Sequence, residues 1–149
     1  MIVIAHNIRS LHNVGSIFRS CDVFAIEKLY LTGFSGTPPR KEIAKVSLGS
    51  EHRVPWEYTE DVRNVLTELT KKGYVIVALE NRKGSVSIDS FHTDRPIALI
   101  LGNEVDGIEQ EILDACDAYI EIDMPGKKQS LNVSVATGIA LFALTRKAR

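Results

Sequence analysis

No run of apolar residues in this sequence approaches the ~20 that a membrane-crossing helix needs. Cysteine is scarce. Cys21 and Cys116 lie far apart and form no CxxC pair, so a disulfide framework is unsupported and two reduced, packed thiols of an intracellular protein are expected. His6, His12, His52 and His92 are scattered without HxH or HExxH spacing, which leaves a metal site without ligands. The dinucleotide fingerprint GxGxxG, the phosphate loop GxxxxGK[ST] and the nucleophile elbow GxSxG are all missing. Charge of either sign is not in excess: 18 Lys+Arg against 19 Asp+Glu leaves a net charge of −1. That excludes a broad basic coat for nucleic acid, but not a local basic site, because the field depends on where the charges sit.

The 149 residues, 44% of them hydrophobic and 25% charged, have the composition and length of one globular domain with a single core. Met1-Ile-Val-Ile-Ala5 has no basic region before it and reads as a strand rather than a signal peptide. Strand and helix patterns then alternate. Val14, Ile17, Phe18, Cys21, Phe24 and Ala25 form a helical stripe, Lys28–Thr32 reads as a strand, and Gly33–Pro39 is a loop dense in turn formers. A short helix is expected over Lys41–Val46 and an extended piece over Val54–Tyr58. The next helix has Thr59 as its cap, Val62, Val65, Leu66 and Leu69 as its buried face, and Gly73 as its stop. Tyr74–Leu79 and Ile97–Leu101 are continuous apolar runs of the kind found in parallel strands buried on both faces. A helix near Ile108–Cys116, a strand near Ala118–Ile122 and a terminal helix from about Leu131 complete an α/β pattern, a mostly parallel sheet with helices on both faces.

In open α/β sheets ligands bind beyond the carboxyl ends of the strands, and three segments there stand out. In Asn7–Arg19, Asn13 stands where a helix cap belongs, Gly15 leaves the first turn bare and Arg19 lies one turn further on. Such a helix start can hold an anion; equally, it can be an ordinary cap with Arg19 solvated or paired to Asp22. In Leu101–Gly107, Gly102 and Asn103 tolerate unusual backbone angles, and Glu104 either faces a ligand or sits near the positive end of the next helix. In Ile122–Ala136, Met124-Pro-Gly126 is a turn, and Ser130 can cap a helix that carries Asn132 in its first turn and is apolar on almost every side through Leu144. A helix buried all round in so small a domain suggests packing on a second copy as well as on its own sheet.

Taken together and in this order, Asn13/Gly15/Arg19, Leu101–Gly107 and Ile122–Ala136 resemble the three motifs of the SpoU/TrmH family of RNA ribose 2′-O-methyltransferases, over essentially the whole chain. Val105 stands where the family usually has glycine, Asp123 where proline is common, and Pro125 follows Met124. The resemblance implies a deep trefoil knot in the C-terminal half, an exception to the rule against threaded chains. It implies S-adenosylmethionine bound against Leu79, Glu80, Leu101, Gly102, Asn103, Ile122, Met124, Ser130 and Leu131. It also implies a homodimer with the active site at the subunit interface, in the cytoplasm, without a metal or a membrane. Asn13, Arg19, Glu104, Ser130 and Asn132 would be the catalytic set, acting on tRNA or rRNA.

Residues 1–149 are then expected to be a single catalytic domain with no additional RNA-binding domain. RNA would be gripped by cations such as Arg9, Arg40, Lys41, Lys45, Lys127 and Lys128, while the tail Arg146–Arg149 reads as a complement to a helix dipole. Two other readings stay open: a knotted base methyltransferase, against which Arg19 in its Asn-x-Gly frame argues, and an RNA- or cofactor-binding knot protein without catalysis.

Overall fold

The computed structural model describes residues 1–147. Seven strands, β1 (Ile2–His6), β2 (Lys28–Thr32), β3 (Trp56–Thr59), β4 (Val75–Leu79), β5 (Val86–Ser87), β6 (Ile97–Leu101) and β7 (Ala118–Glu121), form one sheet in the order β3-β2-β1-β6-β4-β7-β5. Every strand pair is parallel. All the strands therefore end on one rim, where His6, Thr32 and Thr59 lie in register.

Five helices cover the sheet: α1 (Leu11–Val23), α2 (Lys41–Ser47), α3 (Val62–Lys71), α4 (Gln110–Asp114) and α5 (Val133–Lys147). Alternation along the strands divides the core into two layers. Val3, Ala5, Leu29, Leu31, Val77, Leu99 and Leu101 face α1 and α5. Ile2, Ile4, Tyr30, Ile76, Ala78, Ala98 and Ile100 face α3 and α4. Phe18 of α1 is fully buried and meets Trp56 edge-on at 6.2 Å.

Several local expectations change. The cap of α1 is Ser10, whose side chain accepts from the Asn13 amide; Asn13 belongs to the first turn, and a residue with a useful side chain was available three positions earlier. Asp61 rather than Thr59 caps α3, accepting from the Arg63 amide. Asn132 rather than Ser130 caps α5: its Oδ1 accepts from the Ser134 amide at 2.8 Å. Gly15 does not leave a turn open. It is buried, and a Cβ there would lie 2.7 Å from the Ile43 carbonyl oxygen, so the missing side chain lets α2 pack against α1. The two-residue β5 was too short to show a pattern, and a 3-10 turn at Ser50–His52 follows α2.

Helix α5 is buried along one stripe only, Thr137, Ala140, Leu141 and Leu144. Its other side leaves Val135, Ile139 and Phe142 39–51% exposed. Cys21 is buried and Cys116 half-buried; both are free thiols, and burial pushes Cys116 up to about 12. No helix among the described residues is long and apolar enough to cross a membrane. Of the basic tail, Arg146 stacks on Phe142 and Lys147 donates to the carbonyls of Ile88, Asp89 and Phe91, while positions 148 and 149 lie outside the described residues.

Candidate active site

A cleft of about 300 Å³ opens where β4, β6 and β7 end. Leu79 and Glu80 from the first strand end, Leu101, Gly102 and Asn103 from the second, Ile122 and Met124 from the third, and Ser130 and Leu131 from the segment before α5 all line it. These are the nine residues that the resemblance implied would hold a cofactor.

The loop after β6 is folded tightly on itself. Asn103 and Gly107 exchange both backbone hydrogen bonds at 3.0 Å, and Asn103 Oδ1 accepts from the amides of Val105 and Asp106. A Cβ on Gly102 would lie 2.5 Å from Ile108, and one on Gly107, at φ +68°, would lie 2.7 Å from the Glu80 carboxylate. Glycine is required at both places. Val105 is 83% exposed, and its φ is not positive, so the loop accepts a side chain at that position. Asp123 accepts a 2.6 Å hydrogen bond from Ser87 and so ties the segment after β7 to β5. Burial raises the Glu80 carboxyl above the usual range, opposed by the Ile108 amide and by Arg82.

At the mouth of the cleft, three residues from three distant parts of the sequence meet. Glu104 accepts from the backbone amides of Arg9 and Ser10, both at 3.1 Å, and from Asn13 Nδ2 at 3.0 Å. Asn13 Oδ1 in turn accepts from Asn132 Nδ2 at 3.2 Å. Burial alone would raise the Glu104 carboxyl, but the donors from Asn13, Ser10 and Arg9 outweigh it and hold it below the usual glutamate range. The anion at the start of α1 is therefore the protein's own carboxylate. Glu104 serves α1, not the helix that follows it.

The other two expected residues stand apart. Ser130 is exposed on the cleft wall and makes no hydrogen bond among the described residues. Arg19 is exposed outside the cleft, in a shallow depression with Ser16, Ser20, Val23, Phe24 and Val46. It does not pair with Asp22. That carboxylate is taken by Arg53, at 2.6 Å, and by Ser50, at 2.9 Å, and the hydrogen bond from Arg53 holds it below its ordinary range. Arg19 has no ion pair among the described residues.

Sequence reasoning passed over Asn7, which has left-handed φ of 54° at the end of β1. Its carbonyl accepts from Asn103 Nδ2 at 2.9 Å, and its side chain holds Glu109 at 3.0 Å. An asparagine directly after a strand is the available signal, since asparagine tolerates that backbone better than most residues. Gln129, also unremarked, lines the cleft and donates to the Gly126 carbonyl at 2.9 Å.

Comparison with known proteins decides the family. The model described as the SpoU rRNA Methylase family matches residues 1–142. This chain belongs to that family. It is 37% identical over 150 residues to a protein of Aquifex aeolicus named tRNA (guanosine(18)-2′-O)-methyltransferase, covering 99% of this chain and 69% of that one. The crystal structure of the A. aeolicus TrmH/SpoU tRNA modifying enzyme superposes with a TM-score of 0.88 at 36% identity, over 98% of this chain and 74% of that chain. An AdoMet-bound rRNA methyltransferase from Sinorhizobium meliloti gives 0.91 at 27% identity, over 97% and 55%. The chain spans under three fifths of the length of several other curated relatives. The parallel SpoU-type sheet is as expected, and the trefoil knot comes with that fold family.

Proposed function

We propose that this chain transfers the methyl group of S-adenosylmethionine to a ribose 2′-hydroxyl of a structured tRNA or rRNA in the cytoplasm. The observation that carries the reading is the Glu104–Asn13–Asn132 network at the mouth of a cleft lined by all nine expected cofactor residues, in a SpoU-family chain.

The cleft suits that cofactor. Its volume is at the small end of ligand sites, and it combines apolar Leu79, Leu101, Ile122 and Leu131 with the backbone of three loops and the acceptor Glu80. Bound there, S-adenosylmethionine would supply an electrophilic methyl group on a sulfonium. Its transfer to a ribose hydroxyl, with the carbon–sulfur bond breaking as the carbon–oxygen bond forms, would be an in-line displacement governed by positioning. Asn13, Glu104 and Asn132 shape the mouth, and Ser130 offers a hydroxyl to the ribose. A guanidinium is protonated at any ordinary pH, so Arg19 acts by binding phosphate and stabilising the developing alkoxide, and the hydroxyl proton leaves to a phosphate oxygen or to water.

Arg19 reaches such a site from a second copy. The exposed apolar side of α5, Val135, Ile139 and Phe142, with Val23 of α1 71% exposed, offers the face for a homodimer. Exposed Arg9, Arg40, Lys41, Lys45, Lys127 and Lys128 supply contacts to RNA phosphates.

The test is transfer of tritiated methyl from S-adenosylmethionine to unmodified tRNA and rRNA, followed by digestion to nucleosides. Label in a 2′-O-methylated nucleoside is expected. Label in a base would establish base methylation instead, and cofactor binding by calorimetry without transfer to any RNA would make the chain non-catalytic.

A further inference from the structure

Phe34 stands on the same rim of the sheet as the cleft, in the Gly33–Pro39 loop, with 57% of its surface exposed. Tyr58, 45% exposed, stands next to it: its hydroxyl donates to the Gly33 carbonyl at 2.7 Å. Phe34 on the loop and Tyr58 on the adjoining strand β3 are exposed and contribute little to the core, yet the loop is held firmly. The Phe34 amide donates to Asn7 Oδ1 at 3.0 Å. Ser35 Oγ donates to the Ala5 carbonyl at 2.9 Å and accepts from the Ile8 amide at 2.8 Å. Gly36 packs so closely on Leu11 that a Cβ would lie 2.2 Å from its Cδ2. Asn7 also receives the side chain of Asn103, so one residue sets the position of Phe34 relative to the cleft loop.

Cations border the loop at both of its ends. Arg9, two residues after Asn7, is exposed and has no side-chain partner among the described residues; Arg40 and Lys41 are exposed where the loop ends, Arg40 in a loose 4.0 Å ion pair with Glu42. Of the nearby carboxylates, Glu109 is turned to His6 at 3.0 Å and to Asn7, and Glu60 lines a separate cleft with His6 and Glu109. Rigid aromatic faces flanked by cations are how proteins hold unpaired nucleotides, because every base has a π-face and every nucleotide a phosphate.

We infer that Phe34, with Tyr58 beside it, is a stacking platform for an unpaired base of the RNA substrate, flanking the nucleotide to be methylated. The inference rests on the RNA methyltransferase reading above. Its test compares wild type, Phe34→Ala and Phe34→Trp for affinity and KM toward the methylated RNA, with S-adenosylmethionine affinity by calorimetry and Tm as controls. Phe34→Ala is expected to weaken RNA binding on the order of ten-fold, within the range for loss of one stacked base. Phe34→Trp should stay near wild type, and cofactor affinity and Tm should not move. Unchanged RNA binding by Phe34→Ala, with wild type active, overturns the platform alone. A Phe34→Trp variant as impaired as Phe34→Ala also overturns it, since a shape-specific protein contact rather than a base would then occupy the ring. Failure of the wild-type protein to bind any RNA overturns the underlying reading.

Discussion

Glu104 and Asn13, 91 positions apart in sequence, share a 3.0 Å hydrogen bond that joins the cleft loop to the first turn of α1. The same carboxylate closes on two backbone amides, so the site's two halves are locked by a single charged group. Its ionised form is the one with partners, and its folded pKa lies below the ordinary value. The stability it contributes is therefore complete above the unfolded glutamate pKa and is lost as pH falls through the folded one. Glu104→Gln is expected to lower stability at neutral pH by about 1 kcal/mol, a modest figure for a partly exposed charged hydrogen bond. The gap in Tm between variant and wild type should narrow below about pH 4. A gap independent of pH would show that the charge is not what holds the loop.

Arg19→Lys keeps the charge but loses the planar fork. With no ion-pair partner among the described residues, it should leave stability within about 0.5 kcal/mol of wild type. Turnover should fall on the order of a hundredfold with cofactor affinity unchanged, the scale for removing one donor to a developing oxyanion. Mixing Arg19→Ala protein with a copy disabled at Asn103 should recover activity if the arginine serves its partner's cleft. Two inactive preparations that stay inactive after subunit exchange would confine Arg19 to its own chain.

Phe142 meets Phe24 edge-on at 6.4 Å, lies under the Arg146 guanidinium at 4.9 Å and is half exposed. Replacing it by Asp should give a folded monomer by sedimentation, with methyl transfer abolished and the circular dichroism spectrum retained. A dimer that survives this change, and Ile139→Glu as well, would rule out this face.

Gly15→Ala is expected to cost about 1–3 kcal/mol of stability in urea unfolding, partly offset by the higher helix propensity of alanine. The added methyl would meet a backbone oxygen of α2, which cannot rotate away. A neutral result would show that α2 shifts freely on α1.

The strands β4 and β6 were legible because continuous apolar runs mark burial on both faces. The cleft wall came from the resemblance, whose motifs lie in loops that follow directly from those strands. What joins the site was not. Glu104 carries no mark in sequence of pairing with α1, because the three donors it receives come from a loop and a side chain some ninety positions earlier. The caps at Ser10, Asp61 and Asn132 were misplaced for a related reason: polar residues cluster at each helix start, and only backbone geometry selects which one turns inward. For α5, composition indicated an apolar exterior, but only packing separates the stripe on the sheet from the face left in water.

The ion pair between Asp22 and Arg53 has a kinetic consequence for its neighbour. A guanidinium engaged by a carboxylate one turn away would have to break that contact before meeting a phosphate. With Asp22 held by Arg53, Arg19 has no bond to it to surrender, and a phosphate would meet it from a solvated state. If Arg19 serves as proposed, Arg53 spares it the rupture of an ion pair on capture, although Arg53 itself lines no part of the cleft.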